Sequence, residues 1–133
     1  MHLGDPDYAR LLAFRSALRQ FLRWSEHQAA GVGLTAAQHQ LMLAIRGHAD
    51  RRGPTISEVA AYLCTRHHSA VQLIDRTERL GLITRTRADE HDRRVVRLTL
   101  TAAGVRKLAE LSSAHLEELH RLAALVDASS GPA

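Results

Sequence analysis

Residues 73–104 read LIDRTERLGLITRTRADEHDRRVVRLTLTAAG, and a change of period inside this stretch decides the fold. Leu73 and Ile74 belong to the end of a helix, and Gly81 is its natural stop. Beyond it, LITRTRA (82–88) and VVRLTL (95–100) are short, β-branched and alternating, which predicts two strands. Between them lies DEHDRR (89–94), in which every residue is charged or histidine. Two strands joined by such a loop form a β-hairpin whose tip must be solvated or held by an anion. Thr101 then caps a long last helix over 102–127.

Towards the N-terminus the signals are helical. Thr55-Ile-Ser-Glu58 is a capping box that opens a short helix with Val59, Ala60 and Leu63 inward. A turn near Cys64–Arg66 leads into the helix at 67–80, with Val71, Ile74 and Leu73 as its inward candidates. Thr35-Ala-Ala-Gln38 is a second capping box, followed by Leu41, Ala44 and Ile45. Gly47 and HADRRGP (48–54) close that helix. Residues 8–29 carry Leu11, Phe14, Leu18 and Phe21 as a heptad-like stripe, widened by Leu12, Leu22 and Trp24.

The last helix has its own stripe, Val105, Leu108, Ser112, Leu116, Leu119, Leu122 or Ala123, and Val126. At ~1.5 Å per residue it would be about 39 Å long, too long for one small core. Part of it is expected to pack on a second subunit. The order helix, helix, short helix, helix, hairpin is a winged helix-turn-helix. The expected fold is mainly α with a small β-hairpin wing. It forms one domain over 1–133, with 34–100 as the winged region and 8–29 and 102–127 as dimerisation helices.

Composition bounds the function. The chain has 133 residues, 45% hydrophobic and 24% charged, as in one soluble globular domain. No run approaches the ~20 apolar residues of a membrane span. The opening MHLGDPDYAR carries Asp5, Asp7 and Arg10 where a signal peptide needs apolar residues, so a cytoplasmic location is expected. Cys64 is the single cysteine, so no intrachain disulfide can form; a small apolar filler role is expected for it. The net charge is +4, and Lys107 is the only basic residue that is not arginine. Residues 66–97 hold eight arginines against five acids, a local footprint suited to a polyanion.

Within that footprint Arg66, His67, His68, Ser69, Gln72 and Arg76 cluster at the start of a helix, and 68, 69, 72 and 76 share one face. Glutamine can read adenine and arginine guanine by paired hydrogen bonds in the major groove. Arg93 and Arg94 occupy the hairpin tip, where a guanidinium suits a narrow minor groove.

Other classes fare worse. His67, His68, Ser69 and Asp75 contain triad residue types, but on one helix they do not face each other, and no glycine-rich phosphate loop is present. No enzyme activity and no cofactor are expected. Nine histidines raise a metal reading, with Glu26, His27, His39 and His115 as the residues to be brought together. No H-x-x-x-H or C-x-x-C pair supports it. A redox role for Cys64 would need a thiolate, for which Arg66 is the nearby cation. A dimeric adaptor that binds no DNA would leave the basic hairpin unexplained.

DRRVVRLTLTAAG (92–104) resembles the wing signature D-x-R-x(5)-L-T-x-x-G of the MarR (multiple antibiotic resistance regulator) family, with Asp92, Arg94, Leu100, Thr101 and Gly104 at its positions. LIDRTERLGLITR (73–85) is similar to the family's recognition helix running into the first wing strand, and LTAAQHQLMLAI (34–45) to the helix expected before it. The resemblance spans roughly 8–127 and departs at Thr77, where similar sequences carry leucine.

The resemblance implies a cytoplasmic homodimer that binds double-stranded DNA at a pseudo-palindromic operator and represses transcription. Release would follow binding of a small aromatic or lipophilic effector, with metal- or redox-response as alternatives on the same fold. It also implies that Asp92 supports Arg94 in the wing. Trp24, His39, Tyr62 and His115 are the residues expected to line an effector pocket.

Overall fold

The computed structural model describes residues 2–87 and 95–129. The hairpin tip, with Asp92, Arg93 and Arg94, lies outside the described residues. In chain order the elements are α1 (Asp5–Gly31), α2 (Ala36–Gly47), α3 (Ile56–Tyr62), α4 (His67–Arg79), β1 (Ile83–Thr86), β2 (Arg97–Leu100) and α5 (Ala102–Ser129). This is the mainly helical winged architecture that the sequence predicts.

Both capping boxes form. Gln38 N donates to Thr35 Oγ1 at 3.1 Å, and Thr35 N to Gln38 Oε1 at 3.0 Å. Glu58 N donates to Thr55 Oγ1 at 3.2 Å, and Thr55 N to Glu58 Oε1 at 3.0 Å. α1 begins three residues earlier than expected. Its cap is Gly4, whose N–H donates to Asp7 Oδ2 at 3.0 Å, with Pro6 in the first turn. A search for Ser, Thr, Asp or Asn caps passes over a glycine.

Three helices end in the same way. The αL residue is Gly33 after α1, Cys64 after α3 and Gly81 after α4, at φ +82°, +51° and +76°. In each case the next residue's N–H reaches back to the helix: Leu34 N to Ala29 O, Thr65 N to Ala60 O, and Leu82 N to Thr77 O. Each is a Schellman turn that satisfies carbonyls the helix itself leaves open.

β1 and β2 pair antiparallel, with Ile83 opposite Leu100 and Arg85 opposite Leu98. Both are shorter than expected, because the ladder ends at Thr86–Arg97, before the charged tip begins. On the other edge of β2, Leu98 N donates to Pro54 O at 3.0 Å. Gly53 is required there, since at φ +93° its Cβ would stand 1.9 Å from Leu98 O.

The LTxxG segment has a packing reason. Thr101 Oγ1 accepts from Gly104 N at 3.0 Å, capping α5, and donates to Gly81 O at 2.7 Å. Gly104 lies so close to the hairpin that a Cβ would fall 2.0 Å from Leu82 O. Helix, hairpin and preceding turn are thus locked at one corner.

The core is built from Leu41, Met42 and Ile45 of α2, Val59 of α3, Ile74 of α4, Ile83 and Leu98 of the hairpin, and Leu108 and Leu111 of α5. α2 is central, packing against α1, α3, α4, α5 and β2. The distal parts of α1 and α5 are different. Ala29 is the one buried residue among the described side chains of α1, while Leu11 is 57% and Leu12 68% exposed. Phe14, Leu18 and Leu22 of α1 and Leu116, Leu119 and Leu125 of α5 are exposed too. Among the described residues no helix is long and apolar enough to cross a membrane.

Candidate nucleic-acid interface

The α3–turn–α4 unit presents one face of α4 to solvent. Ala70, Ile74 and Thr77 are buried and fix the opposite face against α2 and α3. Arg66, His67, His68, Gln72 and Arg76 are then exposed, and Ser69 is half-buried. Five of the six predicted helix residues therefore project freely from one surface. Ser69 and Arg76 border a groove with Thr35 and Gln38, the N-terminal end of α2. Backbone N–H groups at such an end favour an anion.

Thr77 is wholly buried, and its hydroxyl donates to Leu73 O at 2.8 Å, one turn back in its own helix. The departure from leucine therefore leaves no unsatisfied polar group.

The basic footprint is smaller in space than in sequence. Arg85 turns towards α4, where Nη2 donates to Asp75 Oδ1 and Nη1 to Glu78 Oε1, each at 2.5 Å. Asp75, the chief cause, raises its pKa further, so it stays charged within the fold. Arg97 turns to the α2–α3 loop, with Nη1 donating to Gly53 O at 2.9 Å and lying 3.7 Å from Asp50 Oδ2. These two arginines hold the hairpin in place rather than facing a ligand. Arg79 and Arg87 are exposed.

The expected pocket residues separate into two groups. Trp24, His39 and His115 meet where α1, α2 and α5 converge, with His115 at ring-centroid distances of 4.7 Å from Trp24 and 4.6 Å from His39. Phe21 and Ser25 complete this cluster and were not anticipated; Ser25 Oγ lies 2.7 Å from His115 Nε2. The i, i+4 spacing of 21 and 25 on the apolar stripe is the signal that points to both.

Tyr62 is not among them. It lies on the outer side of α3, because Val59 and Ala60 take the inward side, and its hydroxyl is 2.8 Å from His48 Nδ1. The far nitrogen of His48 is 3.3 Å from Glu58 Oε2. This is a bracket across the α2–α3 loop.

Cys64 is exposed rather than buried, since the αL turn directs it outward. Glu26 and His27 are also exposed. Among the described residues no three His, Cys, Asp or Glu side chains gather as a metal-binding group.

The sequence model of the MarR family matches residues 32–94. No curated protein matches the chain. Among solved structures, AbsC, a MarR family transcriptional regulator from Streptomyces coelicolor, is 19% identical, with a TM-score of 0.75 over 92% of this chain and 81% of that one. Wild-type MarR from E. coli in its apo form is 21% identical, with a TM-score of 0.69 over 91% and 83%. A mutant of S. aureus MepR bound to an oligodeoxyribonucleotide is 21% identical, with a TM-score of 0.67 over 88% and 82%. Residues 32–94 are thus a MarR-family winged-helix region, carried in a chain that has the fold of these regulators from α1 to α5.

Proposed function

We propose that the protein is a DNA-binding transcription regulator that works as a homodimeric repressor on a pseudo-palindromic duplex. The observation that carries this reading is the α4 surface: Arg66, His67, His68, Gln72 and Arg76 stand exposed together on a helix whose other side is buried. A helix so presented enters the major groove, where glutamine and arginine read base edges and the others contact phosphates. The wing arginines Arg93 and Arg94, supported by Asp92, reach the adjacent minor groove. The MepR relative bound to an oligodeoxyribonucleotide supports the same use of the fold.

Dimerisation is supported by the apolar surface of α1 and α5. Leu11, Leu12, Phe14, Leu18 and Leu22 form an exposed stripe, with Leu116, Leu119 and Leu125 beside it. Monomers seldom expose contiguous apolar patches beyond a few hundred Å². A second copy covers this surface, and two α4 helices are then presented about one DNA turn apart. Trp24, His39 and His115 sit at the joint between that layer and α2. A small aromatic or lipophilic effector that displaced them would move the reading unit and release DNA.

The test is an electrophoretic shift with the duplex upstream of the protein's own coding sequence, paired with sedimentation of the free protein. A dimer that shifts this duplex at lower concentration than a scrambled one supports the reading. A monomer at micromolar concentration, or equal affinity for both duplexes, overturns it.

A further inference from the structure

His39 and Thr77 are the buried polar side chains among the described residues, and only Thr77 has a hydrogen-bonding explanation within its own helix. His39 lies on α2, 5% exposed, with its ring 4.6 Å from that of His115 on α5 at an interplanar angle of 68°. The two imidazoles have unequal surroundings. His115 Nδ1 is 2.7 Å from Leu111 O, and a carbonyl only accepts, so Nδ1 carries hydrogen. Its Nε2 faces Ser25 Oγ at 2.7 Å, a hydroxyl that can donate to a neutral ring or accept from a protonated one. Both ring nitrogens of His115 therefore have partners, with the Trp24 ring 4.7 Å away.

His39 has no such latitude. It is buried, it lies in the first turns of α2 where the helix dipole opposes a cation, and an imidazolium at His115 would stand against it. The α1 groups in contact with His115, namely Phe21, Trp24 and Ser25, are uncharged, and the charge acting on His39 among the described residues is that of His115. Burial first, and His115 second, lower the His39 pKa below its ordinary value of 6.5.

We propose that the His39–His115 contact is a proton-sensitive joint, which opens in mildly acidic solution, loosens α2 from the α1/α5 layer and weakens DNA binding. α2 is the element through which the coupling runs, because it packs against α1 and α5 on one side and α3, α4 and β2 on the other. In the open joint His39 is hydrated and takes a proton at its ordinary value, while in the closed joint it takes one only at lower pH. The open form therefore binds more protons and gains on the closed form as pH falls through about 6.5, by up to tenfold per pH unit and per joint. The gain stops once pH passes below the lowered value of the closed form. The proton comes from solvent, and no other bond is made or broken.

This inference rests on the DNA-binding reading, and its test keeps the two apart. The affinity of the full-length protein for the duplex upstream of its own coding sequence is measured at pH 7.5 and 5.8, at one ionic strength, for wild type and His39→Phe. Phenylalanine fills the same space and cannot be protonated. Any effect of acidification on the exposed face of α4 is common to both proteins, so the comparison cancels it. Wild type should lose more affinity than His39→Phe over this interval, by up to about fivefold per joint. Parallel pH dependence in the two folded proteins overturns the joint.

A second measurement needs neither DNA nor a substitution. In wild-type free protein, NMR titration should find His39 taking its proton below the ordinary value. Amide exchange in residues 36–47, corrected for intrinsic rate, should speed up at pH 5.8 relative to α4. Ordinary titration with unchanged exchange overturns the proposal even if His39→Phe fails to fold. Loss of DNA binding at pH 7.5 in wild type would instead overturn the functional reading, while this second arm still decides the joint.

Discussion

Arg85 and Asp75 are joined across the gap between β1 and α4, Nη2 to Oδ1 at 2.5 Å. The other arm of the same guanidinium reaches Glu78, whose second oxygen also accepts from the Arg85 backbone N–H at 3.2 Å. Asp75 and Glu78 lie on either side of Arg76 in sequence, so the clamp sets how the outward face of α4 sits against the hairpin. The Arg85 side chain is 29% exposed, so solvent screens part of the interaction. Arg85→Gln should lower stability by about 1 kcal/mol in urea unfolding. Arg85→Lys should recover less than half of that, since an ammonium cannot hold two carboxylates in a planar fork. An unchanged midpoint for Arg85→Gln would show that the clamp adds nothing to the fold.

Gly104 makes a sharper structural prediction. Gly104→Ala would place a Cβ 2.0 Å from the Leu82 carbonyl oxygen, a backbone atom that cannot swing aside. The loss should be at least about 3 kcal/mol, at the upper end for overpacking, and it should separate α5 from the hairpin. Gly47→Ala is the control, because nothing lies within 4 Å of its Cβ and the position is helical. It should be neutral or stabilising by up to about 1 kcal/mol. Thermal unfolding of both variants at equal protein concentration checks the contrast.

What could be read from the sequence was local. Thr35/Gln38 and Thr55/Glu58 are short-range caps, and Gly81 stops α4 by its own backbone freedom. Such signals need no knowledge of what packs where. The winged order of elements follows from them together with the change of period at Gly81. Pairings between distant segments were not legible. Arg85 and Arg97 count as free positive charge in a sequence, and only the folded hairpin turns one to α4 and the other to Gly53. Tyr62 and Trp24 are both amphipathic aromatics, yet the burial of Val59 and Ala60 sends Tyr62 to His48 and away from the α1–α5 junction. His39 and His115 stand out in the sequence as chemistry-bearing residues, but their mutual contact depends on how α2 meets α5. The outward face of α4 was legible because one face of a helix is fixed by its period.

Cys64 holds a position that Gly33 and Gly81 hold after the other two helices. A side chain at φ +51° carries a local penalty of about 1 kcal/mol that glycine escapes. Cys64→Gly should therefore raise stability by up to about 1 kcal/mol, reduced by the greater freedom of glycine in the unfolded chain. Cys64→Val should lower it, since a β-branched residue fits this region worst. The comparison is a pair of urea midpoints against wild type. A stability loss in Cys64→Gly would mean that the sulfhydryl makes a contact worth more than the strain.

Substitutions on α4 and in the charged tip should differ in kind. Gln72 and Arg76 are exposed on α4, so Gln72→Ala and Arg76→Ala should leave the melting temperature within the range of surface changes, about 0.5 kcal/mol. Each should weaken the specific duplex by about 1–3 kcal/mol and relax base preference at one position. Arg94 lies in the charged tip, outside the described residues. Arg94→Ala should reduce affinity while the dimer stays folded, and Arg94→Lys should restore it only in part, because lysine keeps the charge without the planar fork. Asp92→Ala should give a milder loss, since an unsupported arginine must be ordered on binding. Arg66→Ala, as the loss of a proposed phosphate contact, should instead weaken all sequences alike and flatten the salt dependence by roughly one charge. Affinities for specific and scrambled duplexes at two salt concentrations separate these cases. If Gln72→Ala and Arg76→Ala leave base preference intact, the outward face of α4 is not the one that reads DNA. If Arg94→Ala lowers the melting temperature sharply, Asp92 and Arg94 are a structural pair, and recognition belongs to α4 alone.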